Sequence, residues 1–272
     1  MKTPIAYYGG KVLMLDKILP MIPPHIVYVE PFCGGAAVFF AKEPSKYETI
    51  NDVNGLITNF YWQLKTNFYE LQKLIFATLH SEVCMKRAGT ILKDENFKDP
   101  MLKAWAFWAN SSMGWGHSLY KTFFSPKKRN ENRITFNRVV SFTKELSNRL
   151  RHCEILQKDA LNIIKFKDNK NTFFYLDPPY VGANQGHYAG YSEDDFRKLL
   201  DALGKIKGKF LLSSYPGAML NKYRRKYKWK YSDERKLLQC SNMNKNAKKK
   251  TKIECLTFNY TLPKHKEVKF IL

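Results

Sequence analysis

No apolar run in this sequence approaches the roughly 18 residues needed to cross a bilayer as a helix, which sets a membrane-spanning protein aside. The chain passes from Lys2 and Pro4 to Tyr7-Tyr8-Gly9-Gly10 in place of the long apolar stretch of a signal peptide. Its cysteines (Cys33, Cys84, Cys153, Cys240, Cys255) are few, odd in number and without paired spacing, so free thiols in a reducing cytoplasm are expected. The histidines (His25, His80, His117, His152, His187, His265) include no pair four residues apart and none at zinc-finger spacing from a cysteine, so no metal site is expected. Gly-x-Gly-x-x-Gly and the phosphate-loop pattern ending in Gly-Lys-Ser/Thr are both missing, which counts against a dinucleotide or nucleoside triphosphate ligand. Acidic residues are scarce: 24 Asp and Glu face 46 Lys and Arg, a formal net charge of +22.

That excess points to a polyanionic partner, most simply nucleic acid, with a generally basic proteome as the plainer explanation. Two stretches carry most of it. Residues 61–144 hold 14 Lys and Arg against 6 Asp and Glu, including the basic segment Ser125-Pro126-Lys127-Lys128-Arg129-Asn130. Residues 221–252 hold 13 against 2, centred on Lys245, Lys248, Lys249 and Lys250. A charge run is usually a solvated loop; here the global excess and a position between strand patterns favour contact with phosphates. Hydrophobic residues at 44% and aromatic residues at 15% of 272 positions describe a folded chain, with one large core or a domain carrying an insertion.

Strand and helix patterns alternate at both ends. Gly10-Lys11 opens an amphipathic helix with Val12, Leu15, Ile18 and Leu19 inward, stopped at Pro20. His25–Val29 reads as a buried strand ending at Glu30, Phe32-Cys33-Gly34-Gly35 as a tight turn into a helix over 36–41, and Tyr47–Asn51 as a strand ending at Asp52. A helix with Leu56, Ile57, Phe60, Tyr61 and Leu64 follows, which completes a βαβα unit of a parallel sheet. From about Trp62 to Lys144 the alternation is lost: first mainly helical, then aromatic and irregular through Trp105–Trp108 and Met113–His117. Strands resume at Glu154–Leu156, 171–176 and Lys209–Ser213, with a helix capped at Ser192 and another starting at Pro216. Ile253–Tyr260 reads as an antiparallel closing strand. The expected fold is therefore α/β, a Rossmann-like sheet, mostly parallel, over residues 1–60 and 145–272, interrupted by a mainly helical module at 61–144.

Asp177-Pro178-Pro179-Tyr180 follows the apolar strand that ends at Leu176, at the carboxyl edge where open α/β sheets place their ligands. The two prolines fix φ and lack N–H groups, so the turn is stiff. A planar nucleobase with an exocyclic amine suits it: the Asp177 carboxylate and the Pro178 carbonyl accept from the amine, and Tyr180 stacks on the ring. Asp-Pro also starts ordinary turns, so the tetrapeptide alone decides nothing. Gly9-Gly10-Lys11, Glu30–Gly35 and Asp52 are expected at neighbouring sheet ends. The glycine turn admits close approach of a ligand to the backbone, and Asp52, 18 residues past Gly34, suits ribose hydroxyls. An adenosine ligand without a pyrophosphate fits this set.

Tyr7-Tyr8-Gly9-Gly10-Lys11, Glu30-Pro31-Phe32-Cys33-Gly34-Gly35, Asn51-Asp52, Asp159, Asp177-Pro178-Pro179-Tyr180, Leu212-Ser213-Ser214-Tyr215 and Glu254-Cys255-Leu256 together resemble the Dam-type (D12 class) DNA adenine-N6 methyltransferases in their α order of motifs, over nearly the whole chain. The resemblance implies a methyltransferase using S-adenosylmethionine on adenine N6 in DNA; because that amine is paired inside double-stranded DNA, base flipping is expected, and the transfer needs no metal. It implies that Tyr7 and Lys11 help hold the cofactor, that Phe32, Gly34 and Gly35 line its methionine and adenosine parts, and that Asp52 binds its ribose. Asp159 would meet its adenine edge, and Asp177 would serve both the cofactor's amino group and the target amine. Asp177, Pro178 and Tyr180 are the implied catalytic set. The loop Val181–Tyr191, with three glycines and two tyrosines, reads either as a lid over the extruded base or as a plain surface loop.

The 61–144 module would read bases, with Arg129, Arg133 and Arg138 as candidates for guanine and Lys127 and Lys128 beside them. Trp105 and Trp108 read as core, and Trp115, between two glycines, as an exposed ring. The Asn-Val-Pro-Phe-Gly-Arg segment of GATC-reading members is absent, with only Phe136-Asn137-Arg138 similar, so no recognition sequence is assigned. A restriction endonuclease is a candidate partner and a DNA-associated cytoplasmic location is expected. The competing readings are an RNA-adenine or cytosine-N4 methyltransferase and a non-catalytic DNA-binding protein. Cytosine-N4 members more often carry Ser before Pro-Pro-Tyr, and joint retention of Asp52, Asp177 and Tyr180 argues against a decayed site.

Overall fold

Short strands with apolar side chains on both sides form the centre of the molecule. The structure is a computed structural model and describes residues 1–7, 9–114, 123, 131–181, 191–237 and 251–263. The strands are β1 (Val27–Glu30), β2 (Tyr47–Asn51), β3 (Cys153–Leu156), β4 (Thr172–Leu176), β5 (Lys209–Ser214), β6 (Lys230–Leu237) and β7 (Thr251–Phe258). They form one sheet in the order β3-β2-β1-β4-β5-β7-β6. β1 to β5 are mutually parallel, while β7 runs antiparallel to both β5 and β6. From β1 the chain moves outward to β2 and β3, then returns to β4 on the other side of β1. The β1–β4 boundary is thus the switch point at which an α/β sheet opens a crevice beyond its carboxyl ends.

Successive residues point to opposite faces of the sheet. Tyr28, Phe173, Tyr175, Leu211 and Leu256 enter one core cluster, while Val29, Phe174, Leu176, Phe210, Leu212 and Cys255 enter the other. Helices cover both faces, which is why β4 is buried along its whole length. Their spans are α1 (Leu15–Ile18), α2 (Ala37–Ala41), α3 (Gly55–Thr66), α4 (Phe68–Phe76), α5 (Glu82–Lys93), α6 (Pro100–Met113), α7 (Glu131–Val140), α8 (Lys144–Leu150), α9 (Ala160–Lys167), α10 (Glu193–Leu203) and α11 (Ala218–Tyr227). Side chains of α3 to α6 and α8 share the cluster of Tyr28 and Phe173, and those of α9 to α11 complete the other. Among the described residues, no helix is long and apolar enough to cross a membrane.

Several expectations need correction. The stretch around Trp105–Trp108 is not irregular: α6 is a regular helix with Pro100 in its first turn, capped by Asp99, whose carboxylate accepts from the Met101 and Leu102 amides. Small residues (Ala104, Ala106, Ala109) between the aromatics let it pack closely, and both indoles are buried and bonded, Trp105 to Thr78 Oγ1 and Trp108 to the Pro4 carbonyl. The amino-terminal helix is a 3₁₀ turn (Lys11–Met14), α1 and a second 3₁₀ turn (Leu19–Met21) that runs through Pro20. Its inward stripe is Lys11, Met14, Ile18 and Met21, with Val12 exposed. No strand precedes Gly9-Gly10-Lys11 among the described residues, so this turn is not a sheet end. β6 was not expected at all. Lys230, Asp233, Glu234, Arg235 and Lys236 give it the charge typical of an edge strand, which hides the alternation.

Candidate active site

The turn after β1 is built on backbone positions. Gly34 has φ +45°, in the left-handed region, and its amide donates to Asp52 Oδ2 at 2.9 Å. A Cβ on Gly35 would lie 3.2 Å from the Tyr7 Cβ, so the amino-terminal segment packs directly on this turn. Asp52, at the end of β2, also accepts the Asn54 amide through Oδ1 at 2.9 Å. Burial pushes its carboxyl up to about 6, against the pull of those two amides. Asp159 caps α9, with Oδ1 accepting from Leu161 at 3.0 Å and Asn162 at 3.1 Å.

These acids border a cavity of about 230 Å³ at the carboxyl edge of the sheet. Phe32, Val53, Leu161 and Pro179 give it apolar walls, and Asp52, Asp159 and Asp195 supply its carboxylates. Tyr191 also borders it, edge-on to the Phe32 ring at 6.5 Å between centroids, and its buried hydroxyl has no hydrogen-bond partner among the described residues. Of the residues expected to hold a cofactor, Phe32, Asp52 and Asp159 line this cavity. Tyr7, Lys11, Gly34, Gly35 and Asp177 do not.

Lys11 and Asp177 meet in a second cluster. The Lys11 ammonium lies 2.6 Å from both Asp177 oxygens, 3.1 Å from the Gly9 carbonyl and 3.2 Å from Glu254 Oε1. The Tyr180 hydroxyl is 3.0 Å from Asp177 Oδ1, 3.0 Å from Ser213 Oγ and 2.8 Å from Glu254 Oε1. Burial raises the Asp177 carboxyl, helped by the Glu254 charge and opposed by Lys11. Burial works to lower the Lys11 ammonium, but Asp177 and Glu254 outweigh it and the net shift is upward. The Tyr180 ring lies 4.4 Å from that of Tyr215, tilted by 58°. Pro178 is buried, and Pro179 borders the cavity, so the tetrapeptide joins the two parts of the site.

Ser213, Glu254 and Tyr191 were not singled out from the sequence as site residues. Glu254 was visible as an acid within an apolar closing strand, and Ser213 within Leu212-Ser213-Ser214-Tyr215. What was missing was the β5–β7 register, which pairs Ser213 with Leu256 and so sets the Ser213 hydroxyl 2.6 Å from Glu254 Oε1 and 3.0 Å from the Tyr180 hydroxyl. Among the expected DNA contacts, Arg138 donates to the Ser112 carbonyl at 2.8 Å, near the end of α6, and Arg133 belongs to α7. Trp115, Lys127, Lys128, Arg129, Lys245, Lys248, Lys249, Lys250 and loop positions 182–190 lie outside the described residues. Among the described residues, no group of three or more His, Cys, Asp or Glu is placed to hold a metal ion.

A family model described as D12 class N6 adenine-specific DNA methyltransferase matches residues 7–221. The chain is 26% identical over 226 residues to the Type II methyltransferase M1.LlaDCHI of Lactococcus lactis subsp. cremoris, covering 76% of this chain and 78% of that protein. It is 24% identical over 253 residues to the Type II methyltransferase M.CviBI of Paramecium bursaria Chlorella virus NC1A, covering 85% and 92%. The Modification methylase StsI of Streptococcus sanguinis is 25% identical over 201 residues, 66% of this chain but 29% of that protein.

Proposed function

Because the chain belongs to the D12 class N6 adenine-specific DNA methyltransferases, we propose that it transfers a methyl group from S-adenosylmethionine to adenine N6 at a specific site in double-stranded DNA, with the target base turned out of the duplex. The observation that carries this reading is the junction, through Pro179, of an acid-bearing apolar cavity with the Asp177 cluster at the switch point of the sheet.

The cavity residues fit the adenosine part of the cofactor. Phe32, Val53 and Leu161 offer faces to a flat ring, and Asp52, near the end of β2, retains lone pairs for ribose hydroxyls. The buried Tyr191 hydroxyl, unpaired among the described residues, supplies a donor on the same wall, beside Asp159. Tyr7, Lys11, Gly34 and Gly35 would hold the other end. When bound, S-adenosylmethionine supplies a methyl group on a positively charged sulfur, open to direct displacement.

The chain's own work is on the amine. Adenine N6 is a poor nucleophile because its lone pair is delocalised into the ring. Asp177 and the Pro178 carbonyl accept its two hydrogens, draw them out of conjugation and free the lone pair. Lys11 fixes both Asp177 oxygens and opposes the upward pull of burial on the carboxyl, so the acceptor is oriented before the base arrives. Tyr180 stacks on the extruded base in place of its lost neighbours. Alignment and preorganised acceptors supply the rate, and no strong base is needed. Arg129, Arg133 and Arg138 would read the base's sequence context, and the lysines at 245–250 would meet phosphates. The relatives' designation as type II methyltransferases supports a restriction endonuclease of matching specificity as a candidate partner, and a DNA substrate suits a DNA-associated, cytoplasmic role.

Asp177→Ala tests this directly. Transfer of labelled methyl to DNA should fall by at least about 100- to 1,000-fold, the usual loss of a preorganised electrostatic group. DNA retention on filters should be largely unchanged. A variant that still methylates at the wild-type rate would sink the mechanism.

A further inference from the structure

Glu254 has no role in the chemistry described so far, yet it is buried at the centre of the Asp177 cluster, 3% exposed. Leu256 and Phe258 of β7 point into the core cluster that contains Phe173 and Tyr175, and strand alternation turns Glu254 to that same face. There its Oε1 meets Ser213 Oγ at 2.6 Å, Tyr180 Oη at 2.8 Å and Lys11 Nζ at 3.2 Å. The Tyr180 hydroxyl has one hydrogen but three oxygens within 3.0 Å, two of them on the carboxylates of Asp177 and Glu254. Lys11, Asp177 and Glu254 together carry two negative charges and one positive, so one further proton neutralises them. Two carboxylates facing one hydroxyl raise each other's affinity for that proton.

We propose that Glu254 is the proton reservoir of the active site, receiving through the Tyr180 hydroxyl the proton that the target amine gives to Asp177. The inference rests on the adenine-methylating reading above. As the bond from N6 to the methyl carbon forms, the carbon–sulfur bond breaks with its electrons on sulfur, and N6 becomes positively charged. N6 then loses one proton to Asp177. The Tyr180 oxygen takes that proton while passing its own to Glu254 Oε1. Tyr180 ends neutral as it began, Asp177 is again a carboxylate, and Glu254 is a neutral acid that returns its proton to water after the product leaves. Asp177 is thereby reset without opening the buried cluster.

Glu254→Gln keeps the size and an acceptor oxygen but cannot take the proton. The first measurement is an infrared pH titration of the buried carboxyls, without DNA or methyl donor. The groups facing the pair are Lys11 from the amino-terminal turn, Glu30 from β1, Tyr175 from β4, and Tyr180. Glu30, pushed up to about 8 by burial, gives its own band, which should persist in the variant. The wild type should show a shared proton uptake by Asp177 and Glu254; in Glu254→Gln the Asp177 step should move to lower pH, because the Glu254 charge raises it. The second measurement is single-turnover methylation of adenine in bound DNA, which should slow at least about 10-fold near neutral pH. If Glu254→Gln does not fold, Tyr180→Phe, which cuts the link but keeps the ring, should show the same slowing. A wild-type enzyme that leaves adenine unmethylated overturns the reading and the relay together. A wild-type enzyme that methylates adenine, with variants matching it in rate and Glu254→Gln matching its titration, overturns the relay alone.

Discussion

Lys11→Met isolates the electrostatic role of the cation at the centre of the site. Methionine keeps much of the length and apolar bulk of the lysine stem, so packing loss is small. The ammonium that lies 2.6 Å from Asp177 and 3.2 Å from Glu254 is lost. Breaking a buried ion pair by removing one partner costs roughly 3–5 kcal/mol. Here protonation sets a ceiling. One carboxylate can take a proton instead of standing unpaired, and doing so near pH 7 costs about 4 kcal/mol, three pH units at about 1.4 kcal/mol each. The variant should therefore be less stable than wild type by about 3–4 kcal/mol near pH 7.

The sign of its pH dependence follows. A carboxyl with a folded-state pKa raised above its unfolded value destabilises at high pH; the penalty begins to shrink as pH falls through the raised value and is gone only below the unfolded one. The gap between variant and wild type should narrow by up to about 1.4 kcal/mol per pH unit on acidification and be about 1 kcal/mol near pH 5. Urea unfolding of both proteins at a series of pH values measures it. A gap that stays constant with pH, or is absent near neutrality, would refute the reasoning that Lys11 holds two carboxylates, the buried Glu254 and the half-buried Asp177.

Three further outcomes are expected. Changing Lys245, Lys248, Lys249 and Lys250 to Ala should weaken DNA binding and flatten its salt dependence by up to about 3.6 in log–log slope, at about 0.9 per phosphate contact; an unchanged slope reduces that segment to solvation. With the Asp52 carboxyl raised to about 6, wild-type affinity for S-adenosylmethionine should weaken as pH falls through that value, because an ionised acceptor is lost. In calorimetry, Asp52→Asn should bind more weakly and lose this pH dependence, and equal affinity would remove Asp52 from the ribose site. Trp108→Ala should cost about 3–5 kcal/mol in urea unfolding, as removal of a fully buried indole does; a near-neutral effect would contradict its place in the core.

The parallel half of the sheet was legible because its strands are short apolar runs bounded by turn residues; Tyr47–Asn51 agrees with β2 at both ends. The cap at Ser192 was equally plain, since Asp195 three residues on completes a capping box. β6 was illegible because an edge strand can be charged along much of its length. α6 was misjudged because bulky aromatics obscured the small residues that let a helix bury all round. Within the site, Asp177 and Tyr180 stood out as a rigid motif, whereas Glu254 and Ser213 acquire their place only from the antiparallel register of β5 and β7. Lys11 was found by motif, but its path to Asp177 through a 3₁₀ turn was not foreseen from local periodicity.

The central proposal, methyl transfer to adenine N6 directed by Asp177, is tested most directly by single-molecule sequencing of DNA from a methylation-free host expressing the wild-type chain or Asp177→Ala. Modified adenines in one sequence context with the wild type, and none with the variant, are the expected result. Unmodified adenines with a folded, expressed wild type, or the same modification with both proteins, would contradict it.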